Sequence, residues 1–126
     1  MKFIDKQLAL KLKEKGFDKP CFGYYFIEDK NENNLHKNIT CGGDVKNCLR
    51  KLSDGKHIDA PTIEQVLEWL REEKEIMVFP VYSKNTSRWY CEIVNADSLE
   101  SEKLLFPDSY EDACIAGIEY VINNLI

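Results

Sequence analysis

The chain lacks the marks of several protein classes. No apolar run approaches the roughly 18 residues that a membrane-spanning helix needs. The opening Met1-Lys2-Phe3-Ile4-Asp5-Lys6 places charge where a secretory leader needs an apolar stretch. A soluble, cytoplasmic protein is therefore expected. The five cysteines, Cys21, Cys41, Cys48, Cys91 and Cys114, are odd in number, and three of them sit in apolar segments where a thiol behaves as a small hydrophobe. No disulfide framework is expected.

Motifs of chemistry are also missing. His36, Cys41, Cys48 and His57 are the one set that could hold zinc, and their His-x4-Cys-x6-Cys-x8-His spacing lacks the tight cysteine knuckle that lets two ligands share one turn of chain. No metal and no cofactor are expected. Cys41 or Cys48 could act as a nucleophile with either histidine as base, but that needs a base held within hydrogen-bond range, and both lie in the least patterned third of the chain. There is no Gly-x-Ser-x-Gly elbow and no His-Glu-x-x-His pair. Gly42-Gly43-Asp44-Val45-Lys46 matches neither the phosphate loop nor the dinucleotide fingerprint and reads as a turn. No catalytic residue is assigned, and an enzyme is not expected.

Basic residues are scarce in the second half. Residues 1–60 carry twelve Lys/Arg against nine Asp/Glu, or +3, whereas 61–126 carry five against thirteen, or −8, which together give the net −5. Phosphate-backbone binding draws its affinity from clustered cations, so nucleic acid is an unfavoured partner. Lys11, Lys13 and Lys15 read as a solvated helix face with cations near the negative end of the dipole.

What is present is an ordinary globular composition, 44% hydrophobic and 11% aromatic, in a length suited to one domain over residues 1–126. Asp5 can cap a helix with Leu8, Ala9 and Leu12 on its apolar stripe. Gly16 then reads as the left-handed residue after its end, with Phe17 packed back on Leu12. Cys21 to Ile27 is a strand apolar on both faces, with Phe22, Tyr24 and Phe26 on one and Gly23, Tyr25 and Ile27 on the other. Such a strand should be covered on both sides or lie in the middle of a sheet, and Gly23 marks a bulge or a close approach of backbone. Residues 28–59 read as a variable polar loop opening at Glu28–Asn34, interrupted by one short helix over Asp44–Leu52.

Two more helices begin with the same device, Thr62 with Gln65 and Ser109 with Asp112, the spacing of a capping box. The first has Ile63, Val66, Leu67 and Leu70 on its core stripe, with Trp69 partly buried beside it and Glu64, Glu68 and Glu72 on a solvated acidic face. The last has Tyr110, Cys114, Ile118, Val121, Ile122 and Leu125 on its stripe, with Ala113 and Gly117 letting it lie close to a sheet. Between them Ile76–Tyr82 and Trp89–Val94 flank a polar turn at Ser83–Ser87 as a hairpin. Pro80 makes the first strand an edge or bulges it. Leu104–Phe106 adds a short strand. The expected fold is α+β, a three- to four-stranded mainly antiparallel sheet packed by helices, in the order α-β-(loop or short α)-α-β-β-α. Leu67, Leu70, Ile118 and Val121 should be intolerant of change and residues 28–59 tolerant. The aromatics Tyr24, Tyr25, Trp69, Tyr82, Trp89 and Tyr90 read first as core and cross-strand packing, since base-stacking platforms work with Lys/Arg grooves and only Lys84 and Arg88 accompany the hairpin.

Leu12-Lys13-Glu14-Lys15-Gly16-Phe17, Pro20-Cys21, Ala60-Pro61-Thr62 with Val66–Glu72, Trp89-Tyr90, and Ser109–Ala113 with Ala116-Gly117-Ile118 resemble a family of small uncharacterised proteins. Gut Bacteroidetes, their phages and integrated elements encode that family. The resemblance spans both ends of the chain but not residues 28–59, implies a mobile-element origin, and transfers no catalytic residue. The functional expectation is a non-enzymatic binding or adaptor protein that meets a protein partner through its acidic half or its aromatic sheet face. The alternative is a nucleic-acid-associated regulator similar to double-stranded-RNA-binding or antitoxin-like modules.

Overall fold

A computed structural model describes residues 2–38, 49–52, 54–96, 100–106 and 109–126, the stretch 100–106 through its backbone. The fold is α+β. Its elements run α1 (Lys6–Glu14), β1 (Gly23–Phe26), β2 (His36–Lys37), β3 (His57–Ala60), α2 (Ile63–Glu73), β4 (Ile76–Ser83), β5 (Arg88–Asn95), β6 (Glu100–Phe106) and α3 (Tyr110–Asn124). The strands form two antiparallel sheets of three, ordered β2-β1-β3 and β4-β5-β6. The chain falls into two compact units, Met1–Thr62 and Ile63–Ile126, with one sheet in each.

In the first unit the Asp5 side chain accepts from the Leu8 amide at 2.8 Å and starts α1. Its end is a full Schellman motif: Gly16 at φ +96° donates to the Lys13 carbonyl at 3.1 Å, and Phe17 donates to Leu12 at 3.0 Å. The left-handed turn buries Phe17 and stops the helix. One face of the sheet meets α1, where Tyr25, Ile58 and Ala60 pack on Ala9. The strand β1 lies in the middle, as its two apolar faces require.

Polar side chains tie this unit together. Lys6, in the first turn of α1, is only 3% exposed. It lies there because its ammonium donates to the Asp29 carbonyl at 2.7 Å, so the charge is hydrogen-bonded where its stem is buried. The Tyr25 hydroxyl donates to the Ile4 carbonyl at 2.8 Å, and the Asn38 amide to the Cys21 carbonyl at 2.7 Å. The 28–59 region expected as a loop holds β2 and most of β3. Its opening turn is organised by the Asp29 carboxylate, which accepts from the Asn31 amide and the Asn34 side chain, both at 2.9 Å. Such local polar bonds carry no period. The short helix expected over Asp44–Leu52 and the Gly42–Lys46 turn lie, as far as residue 48, outside the described residues. At the far end Arg50 makes an antiparallel bridge to Cys21, which is extended pairing in place of a helical turn.

In the second unit both helices begin where the sequence places them, and the Ser109 hydroxyl accepts from the Asp112 amide at 3.1 Å. The eight-residue β4 and β5 pair over their full length, from Ile76 with Asn95 to Ser83 with Arg88, and β4 is the edge that Pro80 demands. The strand expected as Leu104–Phe106 extends back to Glu100, pairing with Asn95. Charged residues in its first half hid that half from a hydrophobicity pattern. Both helices cover one face of the sheet, with α3 on β4, β5 and β6 and α2 on β4 and α3. Ile76, Val78, Cys91 and Ile93 point into that face and are buried.

Gly117 brings α3 down onto it. A Cβ there would stand 2.5 Å from the Cys91 sulfur and 2.7 Å from a Val78 methyl, so only a hydrogen fits. The stripe of α2 is rotated from the expected one. Trp69 is 2% exposed and Leu67 half-buried, which centres the stripe on Val66. The indole N–H donates to Glu73 at 3.0 Å, and the Lys74 ammonium sits 5.4 Å from the ring centre. These contacts let a polar-edged ring go inside. At the ends of α3, Tyr110 and Leu125 overhang the core and are exposed. No described helix is long and apolar enough to cross a membrane.

Candidate functional site

The candidate zinc set is only half described, since Cys41 and Cys48 lie outside the described residues. His36 on β2 and His57 on β3 stand on opposite sides of β1. The rings of Tyr24 and Phe26 fill the space between them: His36 stacks on Tyr24 at 5.3 Å between centres and meets Phe26 edge-on at 5.0 Å. His57 lies 5.1 Å from Tyr24 and 4.5 Å from Phe26. The His57 Nδ1–H donates to the Asp54 carboxylate, since a carboxylate can only accept. The other Asp54 oxygen accepts the amides of Lys56 and His57 at 3.0 and 3.2 Å. Those bonds, led by the Lys56 amide, hold the Asp54 carboxyl below its ordinary value. Two histidines are thus seated in an aromatic face, and among the described residues no three His, Cys, Asp or Glu side chains converge as metal ligands do.

The described cysteines are packing groups. Burial raises Cys21 and Cys91 to about 12 and Cys114 to about 11, far from the thiolate that nucleophilic chemistry uses. Glu64, Glu68 and Glu72 all face solvent on α2.

The six aromatics considered for binding separate into different environments, with Tyr90 half-buried and paired with Val81 across β5 and β4. Tyr25 and Trp69 are core residues. Tyr24 belongs to the histidine face just described. Tyr82 and Trp89 are directly paired across β4 and β5, with ring centres 5.5 Å apart. Trp89 then meets Tyr110 at the start of α3, edge-to-face at 5.6 Å. The three rings form one row where the helix-bearing face of the sheet runs out past the first turn of α3. Tyr82 is 49% and Tyr110 42% exposed, with Trp89 half-buried between them.

The row is held by rigid parts. Full-length strand pairing fixes Tyr82 and Trp89, and the Ser109 cap fixes the backbone that carries Tyr110. The Tyr110 phenol is held above its ordinary value, first by the neighbouring Cys114 and then by desolvation. Arg88 precedes Trp89 on β5, and Glu111 and Asp112 follow Tyr110 in the first turn of α3, all three exposed. An amphipathic aromatic row buries contact area while keeping hydroxyls available for hydrogen bonds. Tyr110 is the member that the sequence assigned elsewhere, to the core stripe of α3. Its place at the first helical position, beyond the edge of the sheet, was the signal against that. On the opposite sheet face Phe79 is exposed as well.

Comparison of the chain with protein-family models, with curated proteins and with solved structures returns no match. The functional reading therefore rests on the chain's own geometry.

Proposed function

We propose that this chain is a non-enzymatic binding or adaptor protein that docks a protein partner on the row Tyr82, Trp89 and Tyr110. The observation that carries the reading is three adjacent aromatic rings, two of them close to half exposed, fixed on paired strands and a capped helix. Tyrosine, tryptophan and arginine are the side chains that dominate interface energetics, because they bury much area for little lost conformational freedom. The −8 carried by residues 61–126 favours a partner with a basic rim around an apolar patch. The same charge weighs against the nucleic-acid-associated alternative. The resemblance of the two chain ends supports a phage or mobile-element origin, and the proposal takes the cytoplasm as the place of action.

The test is affinity capture from source cells with the tagged full chain, with and without nuclease, beside a Tyr82→Ser/Tyr110→Ser variant. The captured protein is then titrated, purified, against both chains. A partner that survives nuclease and binds the variant at least about tenfold more weakly, a difference of roughly 1.4 kcal/mol, supports the reading. Equal binding by the variant, or capture that nuclease abolishes, contradicts it.

A further inference from the structure

The first unit contains a cavity of about 440 Å³ where the end of α1 faces β3 and the segment before it. Its size falls in the range of small-molecule sites, roughly 300 to 1,000 Å³. Ala9, Phe17, Leu52 and Ile58 supply an apolar lining. The charged lining is balanced: Lys13 from the last turn of α1 and Lys51 before β3, against Asp18 after the Schellman turn and Asp59 on β3. The two aspartates are not equivalent. Asp59 is half-buried and its two oxygens accept from the Leu52 amide at 3.2 and 3.3 Å, which fixes the wall of the cavity. Asp18 is exposed at the rim. Lys13 and Lys51 are exposed, and both oppose the rise that burial imposes on the Asp59 carboxyl.

We infer that this cavity binds a small zwitterion with an apolar body, of the size of an aromatic amino acid or a dipeptide. Its carboxylate meets Lys13 and Lys51, its ammonium meets Asp18, and its side chain lies on Phe17, Leu52 and Ile58. The charge balance selects this class. A nucleotide or other polyanion would face two carboxylates and the negative end of the α1 dipole with only two cations to offset them. A neutral apolar molecule would cover the Lys13 and Lys51 ammonium groups and the Asp18 carboxylate while offering them no partner. A ligand carrying one charge of each sign satisfies both sets.

The test is a titration of the ¹⁵N-labelled full chain, followed by amide shifts, with L-phenylalanine and L-leucyl-L-phenylalanine. N-acetylphenylalanine, phenylalaninamide and phenylethanol remove the cation, the anion and both. The expected result is saturable shifts at Lys13, Gly16, Leu52 and Asp59 with the two zwitterions, and binding weaker by tenfold or more for the three controls. Lys51→Glu, on an exposed side chain, should weaken zwitterion binding while the remaining spectrum stays that of the folded chain. Should that variant lose its fold, Asp18→Asn gives the same readout from the other charge. No saturable shifts at millimolar zwitterion, shifts confined to other residues, or equal binding of phenylethanol overturns the inference.

Discussion

The two units reach a sheet-and-helix fold by different means. In residues 63–126 the strands are seven and eight residues long and the helices eleven and fifteen, and the buried set is almost wholly apolar, from Ile63, Val66 and Leu70 to Ile118, Val121 and Ile122. Among the described residues of 1–62 the strands have four, two and four residues, and α1 nine. There the backbone is pinned by side chains distant in sequence: Lys6 to Asp29, Tyr25 to Ile4, Asn38 to Cys21 and Asp59 to Leu52. A long apolar face buries enough surface to need few specific bonds. A small one must add directed hydrogen bonds, each contributing about 0.5 to 1.5 kcal/mol net and more when charged.

The largest expected effect belongs to the apolar unit. Leu70→Ala should destabilise by about 2 to 5 kcal/mol, whereas the half-buried Leu67→Ala should cost clearly less, since its side chain leaves a smaller cavity. Denaturant midpoints of the two variants measure this, and equal losses would break the assignment of the α2 stripe. Next comes Gly117→Ala, expected to cost about 1 to 3 kcal/mol by forcing α3 off Cys91 and Val78. Truncating Cys91 to Ala in the same chain should recover part of that loss, because it removes the sulfur the new methyl strikes. No recovery would mean that the close approach is not what the glycine serves.

Lys6→Met keeps the buried stem of the side chain and deletes the bond to Asp29, leaving that carbonyl short of a donor. The expected loss is about 1 to 3 kcal/mol, read as faster amide exchange between Ile27 and Asn34. An unchanged exchange pattern there would remove Lys6 from the pins of the first unit.

The smallest effects are in pH. Desolvation raises the Asp59 carboxyl above its ordinary 3.8 in the fold. Its contribution is therefore fully present below the unfolded value and is lost as pH rises through the raised folded value. Asp54 runs the other way: its hydrogen bonds lower it in the fold, so its contribution is present above the unfolded value and lost as pH falls through the lowered one. Asp59→Asn should accordingly flatten the stability profile just above pH 3.8, and Asp54→Asn just below it. Thermal melts across pH 2 to 6 separate the two, and a shared window would contradict the assignment of causes.

Legibility in the sequence follows the same division. The second unit could be read because helix and sheet periods repeat over many residues and capping residues mark both helix starts. What escaped was the rotation of α2 toward Trp69, because an indole satisfied by Glu73 and Lys74 does not look like a core residue until its partners are in place. In the first unit, α1 and its Schellman stop were legible, since Asp5, Gly16 and Phe17 act on near neighbours. The short strands β2 and β3 were not. Each pairs with β1 across more than ten residues of chain, and their histidines face aromatic rings on another strand. Of the row of Tyr82, Trp89 and Tyr110, the sequence places the first two on the strands of one hairpin, while their direct pairing and the arrival of Tyr110 depend on the strand register and on the meeting of α3 with the end of the sheet.

The contrast between a unit held by apolar burial and a unit held by polar pins is tested most directly by native-state amide exchange on the full chain, wild type beside Lys6→Met. The slowest exchange is expected in β4, β5 and α3. In the first unit protection is expected to be lower and to fall further with Lys6→Met, while β4, β5 and α3 are unchanged. Equal protection of both units in the wild type, or a uniform fall across both with Lys6→Met, would contradict that contrast.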